Sequence, residues 1–428
     1  MFVMVTAVSM PSIAMRVAVA AAVIAGLAGW GSSFQPSSVA HASDASDLAR
    51  LNPTGECAST VLHVLGDIAM RVYHEGVASA RTASAVSLIT HSPALREAIE
   101  QDDPAAALAA GQALLATHHM TNLKVLVGAQ TLVDVGGPDA LAPLHGTIDG
   151  VHGAPIASFL ASVWADRGFM TETNGIAEGG TALRAGTIGV AGSFPLPPGE
   201  LPPEGILTER GVSYRYISFP VLAYPAGLRR VYLMRSIHSL ARLCGRTAED
   251  TLVNTLSHIA TLIYDGEAGR RTLAQIHRVQ RNQALLRAVA ERNPAATEAA
   301  VRALLHEHIV RLRVLAGGQQ LSDVGGPFVL APVSAPLRLH GRTIGRFVLS
   351  IQDDMGYRLL AQRLAGLDVL MNVGSRVVMS SFDPPPNRTP GSGPFHYGGR
   401  TYRVFSFKGR AFPSMPLKIT VLIPIPYS

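Results

Sequence analysis

Two adjacent carboxylates, Asp353 and Asp354, are the most reactive-looking pair in this 428-residue chain. Paired acids can share general acid–base work. Neighbours on a strand face opposite ways, however, so cooperation between these two would need an irregular turn. His306-Glu307-His308 offers metal-ligating side chains, but the local pattern reads as helix, where residues two apart point to different sides and cannot chelate one ion. That triplet, like His118 and His119, reads as a polar helix face. No GxSxG elbow, HExxH, Walker loop or CxxC occurs, and the spacing of Gly186, Gly189 and Gly192 does not suit a dinucleotide fingerprint. No catalytic residue, metal site or cofactor is therefore expected. The only cysteines are Cys57 and Cys244, and in an exported chain two cysteines are expected to pair.

These residues must be positioned by a duplicated scaffold. Lys124–Pro143 recurs as Arg313–Pro332 at an offset of 189, with 13 of 20 positions identical, including the DVGGP core. Gly153, Ile156, Phe159 and Ser162 match Gly341, Ile344, Phe347 and Ser350 at an offset of 188. In that register Asp166 falls on Asp354, Trp164 and Ala165 on Gln352 and Asp353, and Tyr214-Arg215 on Tyr402-Arg403. Two copies of one unit fill the chain beyond its first segment, with modules expected at 43–240 and 241–428. Cys57 and Cys244 hold equivalent places ahead of the leading helix of each copy.

Residues 1–42 read as a signal peptide: Met15-Arg16, an apolar run Val17–Trp30, then Ala40-His41-Ala42 as a cleavage site. Translation starting at Met15 fits the same pattern. An uncleaved anchor is the rival reading, and it is the sole membrane attachment the sequence suggests. Of 36 basic residues only three are Lys and 33 are Arg. They are scattered, without the aromatic interleaving of a single-strand binder, so no nucleic-acid partner is expected.

Each copy opens on an amphipathic helix, with Val61, Leu65, Ile68 and Val72 in the first and Leu252, Leu256, Ile259 and Ile263 in the second at helical spacing. Shorter helices follow, one of them started by Asp103-Pro104 or Asn293-Pro294 as cap and first-turn proline. The period then changes to two. Strands are predicted over 314–316, 320–324, 328–337 and 343–352, with a hairpin turn at His340-Gly341. A helix from Asp354 to Leu364, capped by that aspartate, and closing strands over 401–407 and 417–423 finish the copy. DVGGP reads as a tight turn, with a ligand role for Asp134 or Asp323 as the alternative.

Helices followed by an antiparallel meander make an α+β layout. The helical lead-in, the DVGGP region and GRTIGRFVLSIQDDMGYRLLAQRL resemble the Cache superfamily of PAS-like extracytoplasmic sensors (PDC-sensor-like), in two tandem copies. The resemblance implies a long helix beside a curved sheet of about five strands that cups a small molecule. It leads to the expectation of a secreted or surface-tethered binding protein rather than an enzyme. The chain ends soon after the last strand, so no signalling output is expected within it. Gln352, Asp353, Tyr357, Tyr402 and Arg403, with Asp323, are the expected ligand residues, in the second module, because Trp164 would fill the cup of the first. An Arg for an anionic group and an Asp for an amine suit a small polar or anionic, amino-acid-like metabolite. A secreted enzyme using Asp353 and Asp354, and a structural module with plugged pockets, are the alternatives.

Overall fold

The computed structural model describes residues 56–427 apart from 118–119, 138, 267–269 and 306–307. The segment read as a signal peptide, His118, His119, His306 and Glu307 lie outside the described residues. In the first copy, helices α1 (Glu56–Ala78), α2 (Ala80–Thr90), α3 (Pro93–Glu100) and α4 (Pro104–Thr117) precede strands β1 (Asn122–Val127) and β2 (Gln130–Gly136). Next come β3 (Ala140–Leu141), β4 (Leu144–Asp149), β5 (Pro155–Ser162), β6 (Trp164–Ala165) and α5 (Asp166–Ala177). Strands β7 (Gly180–Ala185), β8 (Ile188–Gly192), β9 (Glu204–Glu209), β10 (Val212–Tyr224) and β11 (Leu228–Ser236), then the short α6 (Ile237–Ala241), complete it.

The second copy repeats this order. Helices α7 (Ala248–Gly266), α8 (Arg270–Arg281), α9 (Gln283–Ala290) and α10 (Pro294–Leu304) lead into β12 (Arg311–Ala316), β13 (Gln319–Gly325), β14 (Val329–Leu330), β15 (Val333–Leu339), β16 (Arg342–Ser350) and β17 (Gln352–Asp353). After α11 (Asp354–Ala365) come β18 (Asp368–Val373), β19 (Arg376–Ser380), β20 (Ser392–Tyr397), β21 (Arg400–Ala411) and β22 (Met415–Ile425).

The fold is α+β in two tandem modules, each led by a long helix, and each module carries two antiparallel sheets rather than one. The first sheet runs β2-β1-β5-β4, with β13-β12-β16-β15 as its repeat. The second runs β6-β3-β10-β11-β7-β8 with β9 on β10, repeated as β17-β14-β21-β22-β18-β19 with β20 on β21. Three strands of this second sheet, β18, β19 and β20, escape the sequence reading, which places only closing strands after α11. Numbered by sequence within each sheet, β8-β7-β11-β10-β9 is 2-1-5-4-3, and the first sheet is the same path with its third strand, β3, transferred to pair with β10. That two-residue strand stitches the two sheets of a module together.

The repeated residues explain why both copies fold alike. Ser162 Oγ donates to Leu141 O (2.5 Å) and accepts from Trp164 N (3.1 Å), and Ser350 Oγ donates to Leu330 O and accepts from Gln352 N (3.4 Å). Tyr73 on α1 accepts at its hydroxyl from Leu222 N (3.1 Å), and Tyr264 on α7 accepts from the matching Arg410 N (2.8 Å). In DVGGP the glycine after valine makes the close approach: a Cβ on Gly136 would lie 2.2 Å from Thr121 O, and one on Gly325 2.2 Å from Val310 O. Both carry positive φ. His340 and Gly341 (φ 49° and 78°) form the expected hairpin turn between β15 and β16.

Three cores result. Helices α2–α4 cover one face of the first module's first sheet around Ile89, Leu95, Val125 and Phe159. Helices α8–α10 do the same around Leu285, Val301, Val314 and Phe347. The third core is shared: α1, α5, α7 and α11 pack between the second sheets of both modules, in one continuous cluster from Val61, Leu65 and Phe169 to Leu256, Tyr357 and Val421. The disulfide Cys57–Cys244, with Cα atoms 5.6 Å apart, joins the first turn of α1 to the segment entering α7. No helix among the described residues is long and apolar enough to cross a membrane.

Candidate functional site

The turn Gln352–Tyr357, expected to hold a ligand, serves the scaffold in large part. Asp353, not Asp354, is the N-cap of α11: its Oδ1 accepts from Gly356 N at 2.6 Å. Its counterpart Ala165 leaves α5 without a side-chain cap. Asp354 and Asp166 instead enter the first turn as buried acids. Asp166 is 1% exposed with neither oxygen hydrogen-bonded, and its nearest cation is Arg229 Nε at 3.7 Å. Burial pushes both carboxyls above the usual range; Arg229 opposes the shift at Asp166, and the Met355 N–H opposes it at Asp354. The two acids of the proposed pair are thus separated in role, one capping and one buried. Tyr357 is fully buried against α7 and donates its hydroxyl to Ala260 O at 2.9 Å. Gln352 is buried with its Oε1 lacking a hydrogen bond.

The other expected ligand residues lie elsewhere. Tyr402 belongs to an aromatic cluster on the opposite face of the second sheet, with Val404, Phe382, Phe395 and Tyr397. Arg403 bonds the first turn of α7, at Glu249 Oε1 (3.0 Å) and Asp250 Oδ1 (3.3 Å). Asp323 sits on the first sheet, clamped by Arg311 and Arg313 at 2.6–2.9 Å. Burial raises its pKa, but the hydrogen bonds and charges of both guanidiniums outweigh that and hold it low. Both arginines also cover the Phe412 ring. The six residues do not converge on one cup. His308 comes after α10 has ended at Leu304 and has φ 79°, so the helical placement read for this triplet does not hold at its last member. Among the described residues no group of three or more His, Cys, Asp or Glu could hold a metal ion.

A concave site does exist on the outer face of the first module's second sheet. Beside it Ala182, Tyr216, Tyr232 and Met234 form a buried cluster, with Phe194, Leu196, Leu201, Leu207 and Tyr214 packed against it; Ala182, Phe194 and Leu196 also line the site itself. The connection from β8 to β9 crosses above. A cleft of about 430 Å³ lies along β7, β8 and Ser193–Leu196, within the usual size of small-molecule sites. The covering segment is pinned at three places. Ser193 Oγ accepts from Thr181 N (3.0 Å); Arg184 donates to Gly199 O (2.6 Å) and to Pro197 O; Ser218 donates to Pro203 O (3.0 Å). Arg184 is 2% exposed, lies over the Tyr232 ring at 5.6 Å, and among the described residues has no partner for its Nε. Arg230 is its directly paired neighbour on β11 and donates to Ser218 Oγ at 3.0 Å. Burial, then Tyr232, pushes the Tyr216 phenol up against the opposing charge of Arg184.

In the second module the same face carries Asn372 and Lys418 as the matching cross-strand pair. There Phe382 closes edge-on against Tyr397 (5.1 Å) and Tyr402 (5.7 Å), and Phe395 stacks on Tyr397. Sequence reasoning missed Arg184 although a signal was present: an arginine inside the otherwise apolar strand TALRA, replaced by asparagine in the other copy.

No protein-family model matches the chain, and no curated protein matches it. Among solved structures it is similar to an extracellular ligand binding receptor from Desulfohalobium retbaense DSM5692, at 9% identity and a TM-score of 0.24, over 52% of this chain and 47% of the receptor. The chain therefore spans about half of that receptor's length. A methyl-accepting chemotaxis protein X shows 12% identity and a TM-score of 0.11 over 86% and 96% of the two chains. Both likenesses are slight, and the functional reading rests on the chain's own residues.

Proposed function

We propose that this protein is an extracytoplasmic small-molecule-binding protein of sensor-like design, in which the first module holds the ligand and the second is scaffold. The observation that carries the reading is the cleft along β7 and β8, beside the connection to β9. Its lining, Ala182, Leu183 and residues 189–196, is apolar except for Ser193, and the proline-rich connection from β8 to β9 starts at its edge, in keeping with the mainly apolar make-up of ligand sites. Both modules carry an edge-on ring pair on this face, Phe194–Tyr214 at 4.7 Å and Phe382–Tyr402 at 5.7 Å. In the second module two further rings are added, Tyr397 against Phe382 and Phe395 stacked on Tyr397. A disulfide between the only two cysteines suits an oxidising compartment, and the reading assigns binding rather than catalysis. It also moves the site from the second module to the first, because the strand-to-helix turn of the second is taken up by capping and packing.

A thermal-shift screen of residues 43–428 against carboxylates, amino acids and purines tests it. At least one compound class should raise the melting temperature. Ala182→Phe, which fills the cleft floor, should abolish the shift, and Leu370→Phe at the matching place of the second module should leave it intact. Binding that survives Ala182→Phe, or that is lost only with Leu370→Phe, refutes the assignment to the first module.

A further inference from the structure

Resting on that reading, we infer that the cleft takes a small organic carboxylate whose charge pairs with Arg184 and Arg230, replacing the lid carbonyls that now hold Arg184. The argument starts from charge. Arg184 is 2% exposed, yet among the described residues no carboxylate lies within ion-pair distance of it. Its partners are two neutral carbonyls, of Pro197 and Gly199, and its Nε has none. A buried cation without an anion is costly. Arg230, directly opposite on β11, adds a second positive charge to the same sheet face, and like charges directly opposed across strands destabilise a sheet.

The described residues supply no counter-ion. Glu200 and Glu204 of the covering segment are both exposed, and Glu204 faces His63 on α1 at 3.5 Å. The second module keeps the same strand pairing with Asn372 and Lys418, so neither arginine is needed to build the sheet. What the pair adds is an unneutralised charge beneath a lid.

The surroundings narrow the class. Guanidinium groups favour planar, bidentate carboxylates, and such charge-assisted bonds are about twice as strong as those to neutral carbonyls. A carboxylate can therefore displace the Pro197 and Gly199 carbonyls and loosen the covering segment as it binds. The cleft reaches the arginine pair through Leu183, the neighbour of Arg184, and Gly189, its partner on β8. Val190, Phe194, Pro195 and Leu196 line the rest, which favours an apolar or aromatic body over a bare inorganic ion.

Calorimetric titration of residues 43–428 with benzoate, its neutral isostere benzamide, butyrate and inorganic phosphate tests the inference. Benzoate should bind at least tenfold more tightly than benzamide, a difference of roughly 1.4 kcal/mol, and phosphate should bind more weakly than benzoate. Hydrogen exchange of residues 194–203 should quicken when benzoate is bound. Arg184→Met, which keeps the apolar stem, should weaken benzoate at least tenfold, about the same 1.4 kcal/mol, while leaving the unliganded melting temperature unchanged or higher. Arg230→Gln should weaken it less. Equal binding of benzoate and benzamide needs no variant and overturns the inference, as does undiminished benzoate binding by Arg184→Met or the absence of any carboxylate binding. If a neutral or cationic compound binds instead and is blocked by Ala182→Phe, the carboxylate assignment falls and the binding cleft stands.

Discussion

Removing the disulfide should destabilise both modules at once. Cys57 and Cys244 close a loop with a sequence separation of 187, for which the chain-entropy relation gives about 5 kcal/mol at 25 °C, while measured losses run to roughly 2–5 kcal/mol. The structure argues for the upper half of that range. The bridge lies where α1 and α7 meet, and the core around them is continuous between modules, so few native contacts are spared if this corner loosens. Cys244 is itself buried, so its replacement also leaves a small void. The expected loss for Cys57→Ala/Cys244→Ala is ~3–5 kcal/mol. Urea unfolding followed by tryptophan fluorescence reads it directly, because Trp164 is the only tryptophan beyond residue 42 and sits near the shared core. The midpoint should fall with an unchanged slope and a single transition. A loss under ~1 kcal/mol would refute the argument about the bridge. Two separate transitions would refute the shared core.

Three further outcomes are expected. A Cβ on Gly76 would lie 1.9 Å from Trp164 Cδ1, so Gly76→Ala should cost ~1–3 kcal/mol, and combining it with Trp164→Gln, the second module's residue, should recover much of that in chemical denaturation. Tyr357→Phe copies Phe169 of the first module, removes the bond to Ala260 O, and should cost ~1 kcal/mol without changing ligand affinity by calorimetry. Asp166 has a raised pKa, from burial first and Asp139 second, against Arg229. The folded state therefore holds its proton more tightly, and this stability is full below the unfolded value near ~4 and lost as pH rises through the folded value. Asp166→Asn should flatten that decline, which unfolding midpoints from acid to neutral pH will show; an unchanged pH profile would contradict the burial argument.

Much of this protein is legible in its sequence because duplication supplies its own control. Where Lys124–Pro143 and Arg313–Pro332 agree, the structure finds a shared backbone need, as at Gly136 and Gly325. The caps at Asn293 and the hairpin at His340-Gly341 are equally local, since a few neighbouring atoms decide them. The cysteine pair is expected from the number of cysteines together with the export that residues 1–42 suggest, and the bond is present. The role of Asp353 was not: its difference from Ala165 suggested a ligand contact, but a helix N-cap is an equally good use of an aspartate. Nor could the sequence say that Tyr357 and Tyr402 face opposite sides of one sheet, that β3 leaves its own sheet for the next, or that β18–β20 complete a second sheet. Strand pairing joins residues far apart in the chain, and a one-residue change of register reverses every face. Arg184 makes the same point from the side of charge. Its sequence neighbours give it no partner, and only the folding of residues 193–203 over β7 decides that this guanidinium is enclosed, bonded to neutral carbonyls and, among the described residues, left without an anion.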